Sequence, residues 1–311
     1  MGQPQLVLLS LVGEQPIPNL LPLWQFTHYT EVQFVASATT RGVAKQLQKA
    51  IQQDETLQHL QALKTLEVPP YHIGDARAKI VATLLQHQSQ GKTVHINLTG
   101  GTKLMSLAAL QAAYGSGVTL IYVSTEEKQI IWLASDGSEQ SRDPIQVHVD
   151  VWQYLNAHGL EVETVPVNPF AAPPPREGDE LEEQVYNLLK NSGLFDDVRR
   201  NLHIRKRNGK KQVRNELDVV VTRNGRMAVI SCKSGTVESE TGRRAYQQAL
   251  YELAAISRRE AAGIYCGKVL VSSQPELPQA LRDRAAESGI KLVYGTELEN
   301  VVAHVLNAVG K

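Results

Sequence analysis

The sequence predicts an α/β protein built from two domains, and three features of the chain indicate this class. Short apolar runs alternate with helical patterns through the first half, as in a mostly parallel sheet. The second half instead shows the order α-β-β-β-α-β. Five of the 14 prolines fall within 166–175, a stretch that can continue neither a helix nor a central strand. We therefore expect domains at 1–165 and 179–311, joined by a semi-rigid linker at 166–178.

The elements of the first domain follow from the apolar spacing. Strands are predicted at 5–12, 32–36, 94–98 and 118–123, and helices at 40–52, 75–90 and 103–114. Parallel α/β sheets bind ligands at the carboxyl ends of their strands. The loops that follow the strands are therefore the candidate ligand site of this domain.

The second domain starts with a helix at about 180–191. Strands are predicted at 197–205, 213–222 and 226–233, with Asn208-Gly209 and Asn224-Gly225 as the turns between them. A long helix at 242–260, a strand at 268–271, a further helix, a strand at 290–293 and a final helix complete the prediction.

Composition excludes several classes of protein. With 42% hydrophobic and 21% charged residues in 311, each half can bury a core. No apolar run approaches the length of about 18 residues that a membrane helix needs, and the first residues lack the features of an export signal. Cys232 and Cys266 form neither a disulfide framework nor a CxxC motif. We expect a protein of the reducing cytoplasm with no membrane partner.

The zero net charge hides an asymmetry between the halves. Residues 1–175 carry 10 basic and 14 acidic side chains, and residues 176–311 carry 22 and 18. Eight basic residues and no acid lie between Arg199 and Arg214. Such a block can follow a phosphate backbone, and a solvated charged hairpin is the alternative interpretation. The candidate nucleic-acid contacts are Arg205, Lys206, Arg207, Lys210, Lys211 and Arg214.

A glycine loop, Thr99-Gly100-Gly101-Thr102-Lys103, joins a predicted strand to a helix. The glycines allow a tight turn and close backbone approach. Thr102 can cap the helix, whose free N–H groups attract anions, and Lys103 adds a cation. The spacing of a Walker A loop or a dinucleotide fingerprint is absent. A plain strand-to-helix connection is therefore the alternative interpretation.

Two more strand-end loops, 10–19 and 37–41, are expected at the same sheet edge. Together the three loops could enclose a polar ligand that carries phosphates. The candidate contacts are Ser10, Gly13, Gln15, Pro16, Asn19, Thr39, Thr40, Arg41, Thr99, Gly100, Gly101, Thr102 and Lys103.

A second candidate site follows from the turn at Asn224-Gly225. A two-residue type I′ turn sets the hairpin register so that Asp218 lies opposite Ser231 and Glu216 opposite Lys233. Side chains alternate along a strand, so all four project from one face. The other face carries the apolar residues Leu217, Val219, Val221, Ala228, Ile230 and Cys232.

These residue types fit metal-assisted phosphodiester hydrolysis. A carboxylate such as Asp218 binds a hard divalent cation, which activates water and stabilises the leaving oxygen. Lys233 can orient the water or stabilise developing charge. Glu182 lies at the edge of an apolar helix stripe and could supply a second carboxylate. The alternative interpretation is a Glu216–Lys233 ion pair of structural value alone.

The second half resembles the PD-(D/E)xK nuclease superfamily, which has a restriction-endonuclease-like fold. The match lies in the α-β-β-β-α-β order, in Asp218, and in Lys233 two residues after Ser231. More narrowly, Asn215-Glu216-Leu217-Asp218-Val219 resembles the nuclease half of CRISPR-associated CARF–nuclease effectors of the Card/Can group. The first half is similar to the Rossmann-like CARF domain of that group in 13–19 and 98–106.

The resemblance implies a CARF domain that dimerises and binds a cyclic oligoadenylate, usually cyclic tetra-adenylate. Binding then activates cleavage of DNA, RNA or both with Mn²⁺ or Mg²⁺. It implies Asp218 as the central metal ligand, Lys233 as the catalytic lysine and Glu182 as the helix acid. The main-chain carbonyl of Cys232 is a further candidate metal ligand.

Ser231 departs from the family pattern, which has Glu or Asp at this position. The metal could be held by the remaining ligands, or a migrated acid such as Glu216, Glu238 or Glu240 could compensate. A weakened nuclease would leave a cyclic-oligoadenylate sensor. We expect retained activity with a preference for Mn²⁺, and we rank degradation of the cyclic nucleotide by the CARF domain last, since no histidine is placed for it.

Overall fold

The computed structural model describes residues 5–163, 179–208, 211–256, 258 and 261–310, and of residues 179, 206–208 and 211–214 it describes only the backbone. Contacts divide the chain into two compact units, Met1–Val147 and His148–Lys311. None of the helices in the described ranges is long and apolar enough to cross a bilayer.

The first unit is built around an eight-stranded sheet in the order β3-β2-β1-β5-β6-β7-β8, with β4 also paired to β2. The strands β1, β2, β5 and β6 are parallel, and β7 and β8 are antiparallel additions at one edge. This confirms the predicted mostly parallel sheet. The strands are β1 (Leu6–Leu11), β2 (Glu31–Ala36), β3 (Gln61–Ala62), β4 (Leu66–Glu67), β5 (Thr93–Asn97), β6 (Thr119–Ser124), β7 (Gln129–Leu133) and β8 (Glu139–Pro144).

Four helices connect these strands: α1 (Ile17–Gln25), α2 (Arg41–Gln53), α3 (Ile73–Ser89) and α4 (Lys103–Ala113). The helices α3 and α4 cover one face of the sheet, where Ile80, Leu84 and Ala109 pack on Leu9 and Ile96. The central strand β1 is apolar along nearly its whole length because both of its faces are buried.

The second unit contains a mixed six-stranded sheet in the order β14-β13-β12-β11-β10-β9. From α6 to β13 the elements follow the predicted α-β-β-β-α-β order. The elements are α5 (Val151–Ala157), β9 (Glu161–Val162), α6 (Asp179–Asn191), β10 (Asp197–Asn208), β11 (Lys211–Arg223), β12 (Arg226–Lys233), α7 (Glu240–Ile256), β13 (Cys266–Ser272), α8 (Gln279–Glu287), β14 (Lys291–Val293) and α9 (Val301–Ala308).

The predicted apolar face of the hairpin lies in the core of this unit. Val219, Ile230 and Cys232 pack with the helices α6 and α9. On α6 the buried stripe is Leu181, Val185 and Leu189, whereas Leu188, which the helical spacing also brings near this stripe, is 42% exposed. At 100° per residue, Leu188 lies about 20° beyond Leu181, on the side away from Val185 and Leu189, so it falls at the edge of the contact with the sheet.

The division between the units differs from the expected boundary at 165. Residues 148–163 belong by their contacts to the second unit, because β9 pairs with β10 and Tyr154 Oη donates to Ala262 O at 3.0 Å. The predicted linker at 166–178 lies outside the described residues, as do Gly209 and Lys210 of the first predicted turn.

Candidate functional site

The turn at Asn224-Gly225 has the conformation that the sequence predicts. Asn224 and Gly225 both have positive φ angles, 49° and 70°, as a type I′ turn requires. The two strands pair from Arg223–Arg226 to Val219–Ile230, which confirms the predicted register. One rung beyond the last of these pairs, the register brings Asp218 beside Ser231.

Three donors converge on one oxygen of Asp218. Ser231 Oγ lies 3.0 Å from Asp218 Oδ2 and the Cys232 N–H donates to the same oxygen at 2.8 Å. Lys233 Nζ completes the group at 3.5 Å. The carboxylate is only 15% exposed, so these charge-assisted bonds hold it in one orientation. In the described structure Lys233 is therefore paired with Asp218. The alternative interpretation, an ion pair between Glu216 and Lys233, does not match this arrangement.

This face opens into a cavity of about 250 Å³ between the hairpin and α7. The residues Glu216, Asp218, Ser231 and Lys233 all line it, so the structure brings the four predicted hairpin residues together. The other lining residues are Asn215, Leu217, Val229, Ile230, Ala249, Glu252, Leu253 and Ile256. The lining thus combines polar and charged side chains with apolar ones.

Glu252 lines the cavity and is not among the site residues predicted from the sequence. Its helix packs through Ala249, Leu253 and Ile256, which follow a helical spacing, and Glu252 lies at the edge of that stripe. The helical spacing of α7 can be read from the sequence. That this helix packs against the face of the sheet that carries Asp218 cannot.

Glu182 approaches the site from the other side of the sheet. It lies half-buried on α6, the helix that packs on the Cys232 face. Burial raises the pKa of the Cys232 thiol, and the charges of Asp218 and Glu182 raise it further, while Lys233 lowers it. Both carboxylates are thus close enough to act on one thiol. Glu182 is absent from the cavity lining.

The donor atoms suit a hard cation better than a soft one. No three His, Cys, Asp or Glu side chains among the described residues form a ready metal cluster. The Cys232 thiol, with its raised pKa, stays protonated and is a poor ligand for a soft metal. Asp218 and the hydroxyl of Ser231 supply oxygen, the donor that Mg²⁺ and Mn²⁺ prefer, and Mg²⁺ ordinarily keeps several waters. The residues fit such an ion with few protein ligands.

In the first unit, the loops after β1, β2 and β5 lie at one sheet edge, because these strands are adjacent and parallel. Below the loops is a fully buried polar network. Asn19 Nδ2 donates to Ser10 Oγ at 2.9 Å, and Asn97 Nδ2 donates to the same oxygen at 3.2 Å. Ser10 and Asn19, predicted as ligand contacts, are therefore enclosed and support the loops.

The glycine loop packs tightly on the loop after β1. A Cβ on Gly100 would lie 2.0 Å from Leu11 O, so only glycine fits there. Gly101 has a φ of +76°, which also favours glycine. Thr102 Oγ1 caps α4 by accepting from Met105 N at 3.2 Å, as predicted. Lys103 is exposed at the start of the helix.

The remaining candidates on this edge divide into engaged and open side chains. Thr99 Oγ1 donates to Asn97 Oδ1 and accepts from Val123 N, and Thr40 Oγ1 accepts from Ser37 N at 3.0 Å. Thr39 is exposed. Arg41 is exposed and ion-paired with Glu67. Gly13 and Gln15 are half-buried, and Pro16 is buried.

The predicted basic segment forms a long two-stranded ribbon. The strands β10 and β11 pair from Asp197–Thr222 to Asn208–Lys211, far beyond the part of β11 that pairs with β12. Arg205 ion-pairs with Glu161 at 2.8 Å and Glu163 at 3.7 Å, so its charge is already compensated. Lys206, Arg207, Lys211 and Arg214 lie in the ribbon, and Lys210 falls outside the described residues.

Family comparison assigns each unit separately. Residues 7–154 match the Card1 CARF domain, and residues 176–310 match the Card1-like endonuclease domain. No curated protein gives a significant match to the chain.

Solved structures share the fold over nearly the full length. Protein VC1899 from Vibrio cholerae is 16% identical with a TM-score of 0.80, and 97% of each chain is covered. Can2 from Sulfobacillus thermosulfidooxidans, solved with cyclic tetra-adenylate, is 18% identical with a TM-score of 0.76, covering 99% of this chain and 100% of that one. A type III CRISPR defence DNA nuclease activated by cyclic oligoadenylate is 19% identical with a TM-score of 0.63, covering 94% of this chain and 48% of that one.

Proposed function

Because the chain belongs to the Card/Can group of CARF-domain nucleases, we propose that it cleaves nucleic acid when a cyclic oligoadenylate activates it in type III CRISPR defence. The observation that carries this proposal is the pairing of Asp218 with Lys233 in the lining of the cavity. The similarity to the Can2 complex and to the CRISPR defence nuclease supports the choice of activator.

In the nuclease unit, Asp218 is the residue we assign to a divalent cation, Mn²⁺ or Mg²⁺. Glu182 and the Cys232 carbonyl are the further proposed ligands. When bound there, such a cation would polarise the scissile phosphate and lower the pKa of a bound water. The Ser231 hydroxyl and the Cys232 N–H fix the Asp218 carboxylate before substrate arrives, so little reorganisation is needed.

Lys233 is the residue we assign to the developing charge on the phosphate. Its side chain is 31% exposed and its ammonium group lies 3.5 Å from Asp218 Oδ2, where it can reach both solvent and a bound phosphate. Glu216 and Glu252 line the same cavity, and either could take the role of the acidic residue that the family pattern has at position 231. We expect activity to be retained, with a preference for Mn²⁺.

In the CARF unit, the ligand site is proposed at the edge formed by the three strand-end loops. The N-terminus of α4 presents free N–H groups beside Gly100 and Gly101, and Lys103 supplies exposed positive charge. Arg41 is also exposed, but its charge is shared with Glu67. These features fit the phosphates of cyclic tetra-adenylate. A homodimer formed by the CARF domains would place two such edges on one cyclic ligand.

The ribbon of β10 and β11 is proposed to guide the nucleic acid substrate, DNA or RNA. Its exposed arginines include Arg199 and Arg200. Arg199 is held by Asp197 and Arg200 by Glu183, so the contribution to binding rests on the remaining basic residues of the ribbon.

The proposal is tested by incubating plasmid DNA and single-stranded RNA with Mn²⁺, with and without cyclic tetra-adenylate. We expect cleavage by the wild type only with the activator. Asp218→Ala should lower the rate by about 100-fold or more, the scale on which a preorganised charge contributes. Asp283→Ala, which alters an exposed acid on α8, is the matched control.

Equal cleavage by wild type and Asp218→Ala would identify a contaminating nuclease and defeat the proposal. Tight binding of cyclic tetra-adenylate without cleavage under Mn²⁺ or Mg²⁺ would instead identify a sensor.

A further inference from the structure

Lys233 is the last residue of β12, and its main-chain position depends on what holds the end of that strand. It forms the final parallel pair with Ser272 of β13. Terminal residues of strands fray unless other groups hold them. A lysine that must keep its ammonium group 3.5 Å from Asp218 therefore needs a fixed backbone.

A hydrogen-bonded chain of hydroxyl groups supplies this hold. Tyr246 Oη on α7 donates to Lys233 O at 3.0 Å and lies 2.7 Å from Ser272 Oγ. The Gln274 N–H donates to Ser272 Oγ at 3.1 Å.

The donor of each bond in this chain is determined. The single proton of Tyr246 is used on the carbonyl of Lys233, which can only accept, so the Ser272 hydroxyl donates to Tyr246 Oη. The proton order therefore runs from Gln274 N through Ser272 and Tyr246 to Lys233 O. Consecutive hydrogen bonds of one direction strengthen one another.

The chain is enclosed, so it cannot exchange its partners for water. Tyr246 is 1% exposed and Ser272 is 0% exposed. Burial raises the pKa of Tyr246, so its phenol keeps the proton that it donates. The Ser273 N–H adds a second bond to Lys233 O at 3.1 Å. Both lone pairs of this carbonyl are thus used.

We propose that Tyr246 is a positioning residue that fixes the end of β12 and, through it, the Lys233 ammonium group beside Asp218. The functional consequence rests on the nuclease function proposed above, but the positioning itself is a property of the protein without substrate. Tyr246 contacts the main chain of Lys233 and acts on the reaction only through it.

Tyr246→Phe removes one hydroxyl and keeps the ring. Its matched control is Tyr154→Phe, because Tyr154 is also fully buried in this unit and also donates to a main-chain carbonyl, that of Ala262. We would label both variants and the wild type with limiting acetic anhydride and quantify acetylated peptides by mass spectrometry. Exposed Lys291 serves as the internal standard.

We expect Lys233 acetylation, relative to Lys291, to rise about two- to tenfold in Tyr246→Phe, the range that one net hydrogen bond accounts for. It should stay at the wild-type value in Tyr154→Phe. With activator and substrate, the kcat of Tyr246→Phe should fall by a similar factor while KM is unchanged. Equal Lys233 labelling in Tyr246→Phe and wild type, or an equal rise in Tyr154→Phe, would overturn the proposal.

The labelling requires no cleavage, so failure of the nuclease function does not affect this readout. If Tyr246→Phe does not fold, Ser272→Ala interrupts the same chain at its next hydroxyl and should raise Lys233 labelling in the same way. Unchanged labelling in folded Ser272→Ala would then count against the chain.

Discussion

At the scale of single residues, Ser231 gives the site its particular character. The family pattern has Glu or Asp at this position, whereas the serine of this chain donates a hydrogen bond to Asp218 Oδ2. A hydroxyl satisfies the carboxylate in the metal-free protein, while a second carboxylate would repel it. We therefore expect the exchange to favour the metal-free site and to weaken cation binding.

Ser231→Glu is expected to lower the Kd for Mn²⁺ by roughly tenfold, because the charge count of the ligands tunes the affinity for hard cations. Isothermal titration calorimetry on the protein without nucleic acid measures this directly. Ser231→Gln matches the new side chain in size but adds no charge, so it should not tighten binding. Equal affinities for Ser231→Glu and wild type would show that another acid already completes the metal shell.

At the scale of elements, two helices show how far local rules reach. Thr102 and the two glycines before it predict the start of α4, and the helix does begin at Lys103. The helix α1 was not predicted, because it contains Pro18 and Pro22. Pro22 has no N–H for the carbonyl four residues earlier, and Asn97 Nδ2 donates to that carbonyl, Pro18 O, at 3.0 Å instead. A residue from a distant strand thus supplies the hydrogen bond that Pro22 cannot make.

The close packing of the glycine loop can be tested through Gly100→Ala. The new methyl group would collide with Leu11 O and with Gly13 N, at 2.0 and 2.7 Å, and both are main-chain atoms. We expect the free energy of unfolding of the first unit to fall by about 1–3 kcal/mol, as for other overpacked sites. Calorimetric melting measures the loss.

Gly42→Ala is the control for this substitution, since no atom lies within 4 Å of its added Cβ and the residue lies in α2. It should be neutral or stabilising. A Gly100→Ala protein as stable as Gly42→Ala would mean that the two loops do not pack as described.

At the scale of the whole molecule, one chain combines a CARF domain with a Card1-like endonuclease domain. The two family matches together span nearly all of the chain. The proposed function requires that binding at the first unit controls cleavage at the second. Binding and cleavage can be measured separately.

Cyclic tetra-adenylate should stabilise the full chain by about 2.7 kcal/mol at a concentration one hundred times its Kd. The rise in melting temperature checks this, with adenosine monophosphate as the control ligand. Lys103→Ala should reduce the shift, whereas Lys45→Ala, which alters an exposed lysine of α2, should leave it unchanged. An equal shift with adenosine monophosphate would contradict recognition of a cyclic oligonucleotide.

The sequence by itself determined the elements whose signals are local. Alternating apolar runs specify the central strands, and Asn224-Gly225 specifies a turn that can close only with the observed register. From this register the neighbourhood of Asp218, Ser231 and Lys233 follows, because a two-residue loop leaves no freedom in the pairing.

Only the tertiary structure decided which elements face one another. It placed Tyr246 and Glu252 of α7 against the hairpin, buried Ser10 and Asn19 beneath their loops, and paired Arg205 with Glu161. These contacts join residues far apart in the chain. Their partners depend on how helices and strands pack, and no periodicity within one segment encodes that choice.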